Sequence, residues 1–157
     1  MGKATGWCPS HRTVAVLVTL ATCGCSDAAH PRDPRAGTYG AVLWTQEIHG
    51  SAPYNQLGVD GASYTVRLES DGRASRRIVV PGGQDGGLYD QALSGTWSPE
   101  EPDSVVVVLR LPGLSGNSDT VWTDLPLPFA VRADTLHHEW FGTNQAHEVV
   151  ILVRQRG

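Results

Sequence analysis

After Cys25 the chain contains no cysteine, and its only lysine is Lys3. A folded domain downstream therefore has no disulfide framework and must be held by its own hydrophobic core, for which about 120 residues suffice. Long apolar runs are also missing. The apolar run TVAVLVTLA from Thr13 to Ala21 is too short for a membrane-spanning helix, which takes about twenty residues. No later segment replaces it, so the remainder is expected to be soluble. Helical periodicity is absent as well, which excludes a bundle and a strand-helix-strand rhythm.

What stands at the N-terminus reads as a processed segment rather than structure. Lys3, His11 and Arg12 precede the apolar run, and the run ends in Leu20-Ala21-Thr22-Cys23. This tetrapeptide resembles the lipobox of bacterial lipoproteins, with Thr22 where that family usually has Gly, Ala or Ser. The resemblance implies a signal peptide over 1–22, diacylglycerol on the Cys23 thiol and a mature N-terminus held on a membrane. The alternative is an ordinary cleaved signal, although an Ala-x-Ala-like site is absent. The expected address is the bacterial cell envelope, lipid-anchored, on the outer membrane facing the periplasm. Residues 23–36, broken by Pro31 and Pro34, read as a short extended tether. Without Lys3 and Arg12 the chain keeps ten arginines against sixteen acids, a formal charge of −6. That balance argues against nucleic acid as a partner and against electrostatic docking on anionic lipid.

From Gly37 onward, β-branched and aromatic runs recur between Gly, Pro, Asp and Asn clusters. The strands expected are Thr38–Ile48, Ser63–Glu69, Arg73–Val80, Ala92–Ser98, Ser104–Leu111, Thr120–Thr123, Phe129–Arg132, Thr135–Phe141 and His147–Arg154. In the first, Tyr39, Ala41 and Leu43 fall on one side and Val42 and Trp44 on the other. Thr120–Thr123 and Phe129–Arg132 are separated by a Pro126-Leu127-Pro128 kink. Eight or nine strands with short connections predict an all-β fold, a single antiparallel barrel of about eight strands or alternatively a two-sheet sandwich. Closure would remove exposed strand edges.

Gly37-Thr38-Tyr39 at the first strand, Tyr64-Thr-Val-Arg-Leu before Asp71-Gly72, and Gly95-Thr96-Trp97 before a Val-rich strand resemble small bacterial lipoproteins with a lipocalin-like domain. Over 37–157 the resemblance implies an eight-stranded barrel with a cup for one small apolar or amphipathic molecule. The chain departs from it in placing Gly-x-Trp in mid-domain and in lacking a clear C-terminal helix.

The residues offer little for catalysis, and the protein is expected not to be an enzyme and to need no cofactor. Ser115 in Gly113-Leu-Ser-Gly lacks the second glycine and the strand-to-helix context of a nucleophile elbow. The loop Gly82–Gly87 opens no helix and so lacks the oriented amides that hold phosphate. Asp85 and Asp90 are not in a calcium-loop pattern. Glu100-Glu101, between Pro99 and Pro102, reads as an exposed turn. His137, Glu139 and His147 share one face if Gly142–Ala146 closes a regular hairpin, but without tight zinc-ligand spacing they read as a solvated polar face. Trp44, Trp97, Trp122 and Trp140 are expected in the core, although barrel linings also use tryptophan. Val106 and Val108, if exposed, would instead point to a protein-interaction or structural envelope module with a filled core.

The hairpin at Asp71-Gly72 carries the sharpest expectation. A three-residue loop with Gly72 left-handed pairs Leu68 with Ala74 and turns Arg76 to the inner face, alongside Tyr64, Val66, Ala74, Ile78 and Val80. A two-residue loop turns Arg77 inward instead. The inward arginine must lie at a wet rim, pair with an acid, or await an anionic ligand group. The candidate ligand-binding residues are Arg76, Tyr64, Val66, Ile78 and Trp97, with Cys23 as the lipidation site. Replacing Cys23 with Ser is expected to release the mature protein from the membrane fraction or block its processing. Unchanged fractionation and mass would refute acylation there.

Overall fold

The computed structural model describes residues 33–82, 87–113 and 121–156. Cys23 with its leader, most of the tether, Asp85, Ser115 and Thr120 lie outside the described residues. Nine strands form one sheet: β1 (Gly37–Glu47), β2 (Tyr54–Asn55), β3 (Ser63–Leu68), β4 (Arg73–Val80), β5 (Tyr89–Glu101), β6 (Ser104–Pro112), β7 (Trp122–Arg132), β8 (Thr135–Phe141) and β9 (His147–Arg154). All pairings are antiparallel. Apart from β2, each strand pairs with the next around the sheet, and β1 also pairs with β9. The result is a closed eight-stranded barrel, with β2 added against Thr45 and Gln46 of β1. It is all-β and compatible with a lipocalin-like fold. The sandwich alternative does not apply, because the single sheet closes on itself.

The inner wall follows from period-two alternation. Tyr64, Val66 and Leu68 of β3 are buried, as are Val105, Val107 and Leu109 of β6, and Leu127 and Phe129 of β7. They meet Leu136, Val150 and Leu152 from the last hairpin in one apolar core. The β3–β4 turn has the three-residue form: Leu68 pairs with Ala74, Gly72 is left-handed at φ 84°, and the Glu69 amide donates to the Arg73 carbonyl at 2.8 Å. Glycine carries no steric cost there.

Three local readings are corrected. In β1, Ala41 pairs with Leu152 but Leu43 with Ile151, leaving Val42 as an unpaired bulge residue that is 60% exposed. The bulge resets the alternation, so Trp44 rather than Leu43 continues the inner face begun by Tyr39 and Ala41. The second correction joins the two short strands around Pro126 and Pro128 into the single β7. Proline fits a strand whose missing N–H falls on an unpaired edge. Here β8 pairs only with Ala130–Arg132, while β6 pairs along all of β7. The buried His138 bridges the splayed edge, its Nδ1 donating to the Pro128 carbonyl at 2.7 Å. Third, Glu100 and Glu101 are exposed as expected but belong to the end of β5, and the turn is Pro102-Asp103.

Gly95 shows why the Gly-x-Trp run is needed. A Cβ at this position would overlap the backbone carbonyl of Val108 on the neighbouring strand. Two residues on, the Trp97 indole donates to the Glu69 carbonyl and its amide to the Gly72 carbonyl, each at 2.8 Å, which clamps β5 onto the β3–β4 turn. Gly95→Ala is expected to destabilise the barrel by about 1–3 kcal/mol through overpacking. Urea denaturation measures this, and a midpoint equal to the parent's would refute the close-approach argument.

Candidate functional site

Antiparallel pairing sorts the barrel's two ends chemically. One end holds Gly37, Leu68, Glu101 and Arg154; there the ion pairs Arg35–Asp33, Arg73–Glu69, Arg73–Asp71 and Arg154–Asp134 gather. At the other end lie Glu47, Val80, Tyr89 and Phe141. Of the large hydrophobic residues exposed among the described residues, all but Val42 sit here: Ile48, Tyr54, Leu88, Tyr89, Val121, Trp122, Trp140 and Phe141. This clustering makes the Glu47 end the apolar mouth. Trp122, 57% exposed, and Trp140, 49% exposed, are rim residues, which corrects their expected place in the core.

At the mouth a cleft of about 770 Å3 lies between β1, the segment after β2, and β4–β5. Trp44, Ile78, Val80, Val59, Tyr54 and Tyr89 give it apolar walls, with Gln46 and Gln56 as polar points. Its size falls within the range for small-molecule sites. A cleft of similar size, about 760 Å3, opens at the opposite end against Arg35, Glu101, Asp134 and Arg154. There Arg35 holds Asp33, and Arg154 reaches Asp134 and donates to the Tyr39 hydroxyl, while its Nε is buried without a hydrogen-bond partner.

A polar layer lies inside the barrel toward the mouth. Arg76 faces inward opposite Val66 and Leu93, as the three-residue loop requires, and Arg77 faces out to pair with Asp90 at 2.7 Å. The Arg76 Nη2 donates to Gln91 Oε1 at 2.7 Å, and the guanidinium sits 5.8 Å above the Tyr64 ring, close enough for a cation–π contact. Tyr64 meets Trp44 edge-on at 5.3 Å. Further round, Gln46 donates to Glu148 at 3.0 Å and accepts from Gln56 at 2.8 Å. Two donors in the layer are buried without a partner: Trp44 Nε1 and Arg76 Nε. Each such donor costs about 1–3 kcal/mol, an unusual expense in a native interior.

The five expected ligand residues are not gathered in one place. Ile78 lines the cleft, whereas Tyr64, its cross-strand partner, and Arg76 stand in the barrel interior and do not line it. Val66, fully buried, belongs to the packed core, and Trp97 stands at the far end, where it clamps the β3–β4 turn. Sequence reasoning missed Trp44, Gln46 and Gln91 as polar members of the layer. For Gln91 the signal was its parity with Leu93 and Trp97; for Trp44 and Gln46 the bulge at Val42 hid it.

On the outer wall, the register of the last hairpin is as expected, with Phe141 opposite His147 and Glu139 opposite Val149. His147 Nε2 lies 2.9 Å from Glu139 Oε1, and Phe141 stacks on the imidazole at 4.4 Å. Among the described residues no three His, Cys, Asp or Glu side chains are arranged to hold a metal ion. Val106 and Val108 are half-buried beside Pro128 and Pro126. No protein-family model matches the chain, and no curated protein matches it.

Burial pushes the Tyr64 hydroxyl up to about 12, with the nearby Arg76 charge opposing the rise. A pKa raised on folding leaves stability intact below the unfolded value near 10 and removes it as pH climbs to the folded value. Between about pH 10 and 12 this group should cost the fold roughly 2–3 kcal/mol. Tyr64→Phe is expected to flatten that part of the stability curve in denaturant titrations at alkaline pH. Parallel curves for parent and variant would refute it.

Proposed function

We propose that this protein is a non-catalytic, lipid-anchored envelope barrel that binds a small amphipathic molecule at its mouth. The observation that carries the reading is the cleft of about 770 Å3 with mainly apolar walls, opening at the apolar rim beside a buried polar layer with two unpartnered donors. Such a pairing of apolar walls with a few placed polar groups is what small-molecule sites use for affinity and orientation. The exposed aromatic and aliphatic rim gives an amphiphile an apolar path inward. The anchor rests on the Leu20–Cys23 run and on the polar, proline-broken stretch that leads to β1. Of the described residues, no helix is long and apolar enough to cross a membrane, so by this reading attachment falls to the lipid.

The rival is an interaction module with a filled core, favoured by the dense packing of Val105, Val107, Phe129, Leu136 and Leu152 at the Gly37 half. Calorimetric titration with a series of twelve-carbon amphiphiles separates the two. Binding is expected in the parent, with a loss of about tenfold or more in Val80→Glu and none in Val42→Glu on the outer wall. No heat with any amphiphile, or equal loss in both variants, would overturn the cup in favour of the filled module.

A further inference from the structure

The hydrogen-bond inventory of the polar layer specifies the head group. We infer that the mouth site takes an anionic amphiphile, its carboxylate accepting from Trp44 Nε1 and Arg76 Nε; this rests on the reading of the cleft as a binding site. The side-chain acceptors that are paired in the layer are met from within. Gln91 Oε1 takes Arg76 Nη2, Gln46 Oε1 takes Gln56, and Glu148 Oε2 takes the Gln46 amide. Both buried side-chain atoms of the layer that lack a partner are donors. An indole N–H and a guanidinium Nε–H have no acceptor capacity, so at these two atoms a ligand must bring an acceptor.

Trp44 is 3% exposed and its side chain lines the cleft, so its buried Nε1, one of the two donors, lies on a residue of the cavity wall. The Tyr64 ring joins it to the other, meeting Trp44 edge-on and lying under the Arg76 guanidinium. The layer holds one cation, Arg76, and one carboxylate, Glu148, which hydrogen-bonds to Gln46 rather than to Arg76. The Arg76 partner shown is the neutral Gln91. A carboxylate offers one oxygen to each donor and brings the charge that Arg76 lacks, and charge-assisted hydrogen bonds are about twice as strong as neutral ones. An alcohol can accept as well, but without that charge. The tail then lies along Ile78, Val80 and Val59 toward Tyr54 and Tyr89 at the rim.

The test titrates dodecanoate, dodecanol and dodecylamine, below their aggregation limits, into the purified full chain by calorimetry. The parent is expected to bind the acid about tenfold or more tighter than the alcohol, and the amine weakest. Arg76→Gln should erase the preference for acid over alcohol, Trp44→Phe should weaken the acid several-fold, and Arg77→Gln, on the outer wall, should change neither. One measurement needs no variant. Lowering the pH from about 7 to about 4 protonates dodecanoate and should collapse its advantage over dodecanol in the parent. Equal binding of acid and alcohol by the parent, an acid preference that survives at low pH, or one that survives in both Arg76→Gln and Trp44→Phe would overturn the anion inference while leaving the cleft a binding site. Binding of none of the three would overturn both.

Discussion

A guanidinium facing the inside of a barrel has to be solvated by something, and the upper half of this protein is organised around that constraint. Register makes the placement unavoidable: with Leu68 opposite Ala74, every second residue of β4 points inward, and Arg76 is one of them. An unpaired buried charge would be ruinous. The barrel answers with Gln91 as an acceptor and the Tyr64 face as a π surface. Trp44 and the Gln56–Gln46–Glu148 chain continue the polar surroundings toward the mouth. Below this layer the interior is apolar and filled.

The two ends differ because their loops solve different problems. At the Gly37 end, tight turns at Ser70–Gly72 and Ala133-Asp134 need left-handed backbone and are tied by ion pairs and by the Trp97 clamp. At the Glu47 end, β1 leaves β3 after Gly40, and β7 and β8 pair only near the opposite end. These splayed edges widen the mouth and leave Trp122, Trp140 and Phe141 in solvent. Proline in β7 is compatible with this geometry because Pro126 and Pro128 lie where β8 makes no ladder. His138 carries the connection across by one side-chain hydrogen bond.

Much of the architecture was legible along the chain. Strand alternation in Tyr64–Leu68 and Val105–Leu109, the Asp71-Gly72 turn and the last hairpin are local signals, since side-chain period and turn chemistry operate within a few residues. Even the inward turn of Arg76 follows from one loop length. Polarity reversals were not legible where they depend on a partner strand. The Val42 bulge exists because β1 must pair along β9 while bending between β3 and β2, so the sequence of β1 does not show that Trp44 points in. Trp122 and Trp140 show the same limit: strand residues by type and by position, they are exposed because their strands diverge.

By itself, then, the sequence determined an all-β chain without disulfides after Cys25 and the placement of most strands, and narrowed the Asp71-Gly72 hairpin to two registers, because those depend on contacts close along the chain. Only the tertiary structure decided that the sheet closes through β1 and β9, that Arg76, Tyr64 and Ile78 stand near the mouth while Val66 and Trp97 belong to the packed core, and that Trp44 and Arg76 keep unpartnered donors. The physical reason is that closure, bulge position and hydrogen-bond satisfaction are set between segments as far apart as β1 and β9, and no local pattern records which neighbour a strand will meet.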